Sequence, residues 1–128
     1  MEEISLIRQR NKDLHAAYKR LLQATIGARY VSRESILMLL QEQPAPRFYL
    51  TPYQAMRYIC AYYQMKTATH RKQEMILDLV ETYERLQKQY PQTTKTILYE
   101  MVVEQPAKSF YMSKHRIQEI VFNYSGRN

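Results

Sequence analysis

Lys114-His115-Arg116 stand directly behind Ser113, a residue type that starts helices. Cations in a first helical turn oppose the helix dipole by ~0.3–1 kcal/mol each. Grouping them there points to an anion that offsets the cost, and phosphate is the anion that Lys, Arg and free backbone N–H groups bind together. The matching turn in the first half of the chain reads Pro52-Tyr53-Gln54 behind Thr51, with Arg47 before it and Arg57 after it. Gln and Arg side chains can form bidentate bonds to adenine and guanine edges, and a Tyr ring can stack on a base. The candidate nucleic-acid-binding set is therefore Arg47, Tyr53, Gln54, Arg57, Lys108, Lys114, His115 and Arg116.

Other chemistries find no footing. His15, His70 and His115 are far apart, no Cys/His/carboxylate spacing reads as a metal site, and no Gly-rich phosphate loop is present. Glu42 and Glu104 occupy equivalent places beside helix terminators and read as solvated residues in preference to an acid–base pair. The 12 tyrosines fall mainly on apolar helical stripes, where a ring is buried and its hydroxyl stays wet, so none is assigned as a nucleophile. The expectation is a non-enzymatic protein with no cofactor, no metal and no catalytic residue.

The net charge of +7 is unevenly placed. No Asp or Glu lies between Gln43 and Gln73, a stretch holding Arg47, Arg57, Lys66, Arg71 and Lys72; none lies between Gln105 and Gln118, which holds Lys108, Lys114 and Arg116. Outside these windows 11 basic residues meet 12 acidic ones. The positive excess thus falls on one sequence element that occurs twice.

That element is a repeated phrase. Residues 42–51 read EQPAPRFYLT and residues 104–113 read EQPAKSFYMS, identical at six of ten positions. The offset of 62 extends to Ala55, Tyr58, Ile59 and Tyr62 against Ile117, Ile120, Val121 and Tyr124, and upstream to Ile36, Leu39 and Leu40 against Leu98, Met101 and Val102. Still further upstream it becomes 65, pairing Leu14, Tyr18, Arg20 and Leu21 with Leu79, Tyr83, Arg85 and Leu86, which places a three-residue insertion in a loop within residues 25–32. The spacings are helical. Second helices are expected over 32–43 and 94–105, each ended by the proline that follows. Third helices begin at caps Thr51 and Ser113, with Pro52 at the first helical position and Gln54 completing a capping box. Between them the Phe-Tyr pairs pin a Pro-Ala-x-x-Phe-Tyr connector onto the core, and Leu50 and Met112 precede the caps as staples.

The fold class that follows is all-α: two tandem three-helix, helix-turn-helix-like repeats, packed with pseudo-twofold symmetry in one compact domain over 1–128, with repeat one at 1–63, repeat two at 68–124 and a tail at 125–128. Each half alone would be too small to bury a sufficient core. Two glycines and few β-branched runs agree with helices throughout. The seven-residue connector from Pro44 to Leu50 exceeds the usual helix-turn-helix turn. Ile4, Ile7, Asn11, Leu14, Tyr18 and Leu21 step in a short heptad pattern, which suits an amphipathic helix packed within the domain and also allows a homodimer through the N-terminal helix. The single Cys60 suits a reducing compartment and a core position, the start of the chain lacks a signal pattern, and no window is apolar enough for a membrane span, so a cytoplasmic protein without membrane contact is expected.

The phrases QPAPRFYLTP at 43–52 and QPAKSFYMS at 105–113 resemble a family of small basic proteins from Bacteroides-group bacteria and their phages or mobile elements, whose members carry Pro-Ala-Pro-Arg-Phe-Tyr followed by Val or Leu and then Ser or Thr, often twice. The resemblance covers most of residues 14–124. It implies a bacterial or phage-encoded cytoplasmic protein and assigns no functional residue. The charge placement leads to nucleic acid, DNA favoured, as the partner; the alternative is a protein-interaction or structural component of a phage or mobile-element assembly.

Overall fold

The computed structural model describes residues 3–24, 32–65 and 70–123. Within them the chain is helical: α1 (Glu3–Ala24), α2 (Arg33–Glu42), α3 (Pro52–Tyr63), α4 (His70–Gln89), α5 (Lys95–Val103) and α6 (Lys114–Gln118), the last continuing into a π-helical turn, Glu119–Asn123. The expected insertion at 25–31, Lys66, the side chain of Arg71, the opening of repeat two at 68–69, Tyr124 and the 125–128 tail lie outside the described residues.

Four helices start at side-chain caps, at the expected Thr51 and Ser113 and also at Ser32 and Thr94, which open the expected second-helix ranges. Ser32 Oγ accepts from the Ser35 N–H, Thr94 Oγ1 from Ile97 and Ser113 Oγ from Arg116, each closing one orphan donor for about 1 kcal/mol. At α3 the box is complete: Thr51 Oγ1 accepts from Gln54 N–H at 3.1 Å while Gln54 Oε1 accepts from Thr51 N–H at 2.9 Å.

The helices pack in an order that the chain does not suggest. A helix-turn-helix unit would set each third helix on the two before it. Instead α3 packs chiefly on α4 and α5, and α6 with its π-helical turn packs on α2 and α1. Two three-helix clusters result, α1–α2–α6 and α3–α4–α5, each completed by a helix from the other half of the chain. Their buried side chains, among them Leu14, Leu40, Ile117 and Val121 in one and Ile59, Leu79, Leu98 and Val102 in the other, join in one continuous core. Specific contacts fasten α6 to its host: Gln41 Nε2 donates to the Met112 carbonyl at 3.2 Å, Lys114 pairs with Glu34, Tyr18 meets Phe122 edge-on and Arg33 lies 4.9 Å over the Phe122 ring.

The connectors cross between the clusters. Ala45 and Ala107 exchange both backbone hydrogen bonds, at 3.0 and 2.9 Å, in a single antiparallel bridge, and Phe48 N–H donates to the Val103 carbonyl at 3.1 Å. Phe48 and Phe110 are buried, and Tyr49 stacks on Phe110 at 5.9 Å. The Tyr49 hydroxyl donates to Asp13 on α1 at 2.5 Å, and the Tyr111 hydroxyl donates to Asp78 on α4 at 2.6 Å. Asp78 is only 4% exposed and also accepts the Lys108 N–H at 2.9 Å, which supplies the hydrogen bonds a buried carboxylate requires. Tyr111 sits at φ 55°, a left-handed conformation costing ~1–2 kcal/mol, held by that phenol bond and by its N–H donating to Ser109 Oγ at 2.8 Å.

Four expected stripe positions are corrected. On α1, Ile4 and Ile7 are 65% and 41% exposed, while Leu6 is buried with Leu14 and Ala17. The packed face of α1 follows its contacts with α2 and α6 and not the heptad seam. Tyr62 is exposed at the last turn of α3, and on α2 Leu37 takes the buried position while Leu39 faces outward. No helix among the described residues is long and apolar enough to cross a membrane.

Candidate nucleic-acid interface

At the front of α3 the cations stand without carboxylate partners among the described residues. Thr51 and Pro52 fix the first turn, and α3 carries no acidic residue in it. Tyr53 is exposed at 63%, and the exposed Arg57, one turn on, lies 5.9 Å from its ring, so ring and guanidinium form one open polar–aromatic patch. Gln54 differs from its expected role: its amide oxygen is committed to the capping box. Arg47 is half-buried, and its Nε donates to the Phe48 carbonyl at 3.0 Å, an acceptor that orients the guanidinium without neutralising it.

At the front of α6 every candidate cation meets a glutamate. Lys108 Nζ lies 2.8 Å from Glu81, and this pair holds the ammonium above its ordinary pKa. Lys114 pairs with Glu34 of α2; His115 Nε2 lies 3.3 Å from Glu119 Oε1, and Arg116 Nη1 lies 3.7 Å from Glu119 Oε2. Lys108, Lys114 and Arg116 are exposed, so their pairs add little stability. Their effect is on the field, since each glutamate cancels most of the charge that the sequence count assigns to this front.

Between the fronts lies a cleft of about 180 Å³ at the connector crossing, lined by Arg10, Arg47, Tyr49, Tyr111, Ser109 and Met75 over the rings of Phe48 and Phe110. Arg10, on α1, is absent from the sequence-derived set. Its Nε and Nη2 donate to Asn11 Oδ1 at 3.2 and 3.1 Å, and among the described residues it forms no ion pair. Burial, with the nearby positive charge of Arg116, holds the Arg10 guanidinium below its ordinary pKa; Tyr49 opposes this. Burial and the Asp13 carboxylate push the Tyr49 phenol up, and burial with Asp78 does the same to Tyr111, so both remain neutral hydrogen-bond donors. Asp13 has both oxygens occupied by neutral donors, Tyr49 and Gln9.

The structure thus divides the expected set. Arg10 and Arg47 line one cleft and Arg57 lies over the Tyr53 ring, all three without a carboxylate partner among the described residues; Lys108, Lys114 and Arg116 are ion-paired, and His115 lies beside Glu119. Arg10 sits in a stretch of mixed charge, which hid it. No protein-family model, curated protein or solved structure matches the chain.

Proposed function

We propose that the protein is a non-enzymatic nucleic-acid-binding protein, DNA favoured, whose contacts are the front of α3 and the cleft that Arg10 and Arg47 line. The observation that carries this reading is the set of cations with no carboxylate partner among the described residues: Arg10 and Arg47 are held by neutral acceptors and Arg57 lies over a Tyr ring. Phosphate neutralisation needs charge that the protein has not already cancelled. Tyr53 adds an exposed ring able to stack on a base.

The reading includes a duplicated three-helix unit arranged about a pseudo-twofold axis with its third helices exchanged. Support comes from equivalent residues in equivalent roles: Ala45 pairs with Ala107, and the phenols of Tyr49 and Tyr111 bond Asp13 and Asp78. The test is fluorescence anisotropy with a short labelled duplex at about 50 and 200 mM salt. Binding that weakens steeply with salt is expected. Absent binding, or binding indifferent to salt, overturns the reading.

A second reading, a protein-interaction component, is favoured by the exposed Ile4 and Ile7 on α1 and by Tyr62, Tyr63 and Met65 at the end of α3. Sedimentation as a monomer at high concentration, with no change on Ile4→Ser, removes the homodimer through α1.

A further inference from the structure

We infer that the connector cleft is a phosphate-binding site in which the guanidiniums of Arg10 and Arg47 hold the oxyanion; it rests on the nucleic-acid reading for the source of that phosphate, a backbone diester. Both arginines are pre-oriented, and among the described residues neither has a carboxylate partner. Arg47 spends only Nε on the Phe48 carbonyl, leaving both terminal nitrogens free, and Arg10 spends Nε and Nη2 on Asn11, leaving Nη1. A planar fork anchored at its inner nitrogen and open at its outer ones is the form in which Arg grips phosphate. Ser109 adds a hydroxyl, although its Oγ already accepts the Tyr111 N–H.

The fold does not require this charge. In the register of the sequence repeat, Arg10 corresponds to Met75 and Arg47 to Ser109, and these residues line the same cleft from the other side. One wall is therefore cationic and the other is built from a thioether and a hydroxyl at matching positions. Drawing two guanidiniums into a half-buried cleft, with Arg116 adding like charge to Arg10, is unfavourable until an anion enters. Asp13, the carboxylate behind Tyr49, is engaged by Tyr49 and Gln9 and pairs with neither arginine.

The other half supplies the substitutions that test the site: Arg10→Met and Arg47→Ser place in the first wall what the second already tolerates. In the wild-type chain, the Nε–H NMR signals of Arg10 and Arg47 are followed while inorganic phosphate, and separately a short duplex, is added. Both signals are expected to move with the duplex, and each substitution is expected to lower the salt slope of duplex binding by about one. Signals that move with phosphate while no duplex binds keep the site as one for free phosphate and remove the nucleic-acid reading. A duplex that binds without moving either signal, or with an unchanged slope in folded Arg10→Met and Arg47→Ser chains, removes the site and leaves that reading standing. Signals unmoved by either ligand overturn the inference outright.

Discussion

The fronts of α3 and α6 share a frame and differ in their electrostatics. Both follow a buried Phe, a Tyr bonded to an Asp and a hydroxyl cap. In α3 the cap leads into Pro52-Tyr53-Gln54, and Arg47 and Arg57 have no acidic partner among the described residues; in α6 it leads into Lys114-His115-Arg116, and Glu34, Glu81 and Glu119 sit on the basic side chains. In the repeat register Glu119 takes the place of Arg57. A count of basic residues ranks α6 as the stronger anion site. Counting uncancelled charge reverses the order.

If the frame is common, its removal must hurt both sides alike. Ile59→Ala on α3 and Ile117→Ala on α6 delete fully buried side chains and are each expected to cost ~2–5 kcal/mol in urea unfolding. A large loss at one and almost none at the other breaks the equivalence of the two clusters. The charge contrast is tested next. Arg47→Ser with Arg57→Ala should lower the salt slope of duplex binding by about two, whereas Lys108→Ala with Lys114→Ala should change it by less than one. Equal effects would mean that the glutamate partners are irrelevant.

The paired phenols give a pH signature. Burial and the Asp13 and Asp78 carboxylates raise the folded pKa values of Tyr49 and Tyr111 above the ordinary ~10, so their contribution is fully present below pH ~10 and is lost as pH rises beyond it. Stability measured between pH 9 and 11 should fall, and Tyr49→Phe and Tyr111→Phe should each flatten the fall. The smallest effect sharpens the contrast most directly. Glu34→Gln should alter stability by less than about 1 kcal/mol, because the pair is exposed, yet it frees Lys114 and should steepen the salt dependence of binding.

Much of this fold was legible locally. Thr51, Pro52 and Gln54 announce α3, Ser32, Thr94 and Ser113 announce three more helices, and Pro44 and Pro106 mark where two of them stop; these signals act over a few residues. What could not be read depends on distance along the chain. Glu34 reaches Lys114 across 80 residues, and Glu81 reaches Lys108 across 27. An apolar stripe declares that a helix is buried and not against which neighbour, so the exchange of α3 and α6 left no mark in the periodicity. The exposure of Ile4 and Ile7 was hidden for the same reason: a heptad spacing and a packed face offset from it use the same residue types.

The exchanged packing has a consequence for synthesis on the ribosome. α1 and α2 emerge well before α6, the helix that covers Leu14 and Leu40, has been made. At ~5–20 residues per second the nascent first half waits several seconds with its apolar face open. It is then a natural client for chaperones, and it stays one in any product that terminates before residue 114. A premature stop between α5 and α6 would thus leave α1 and α2, and not merely the segment behind the stop, without a completed core.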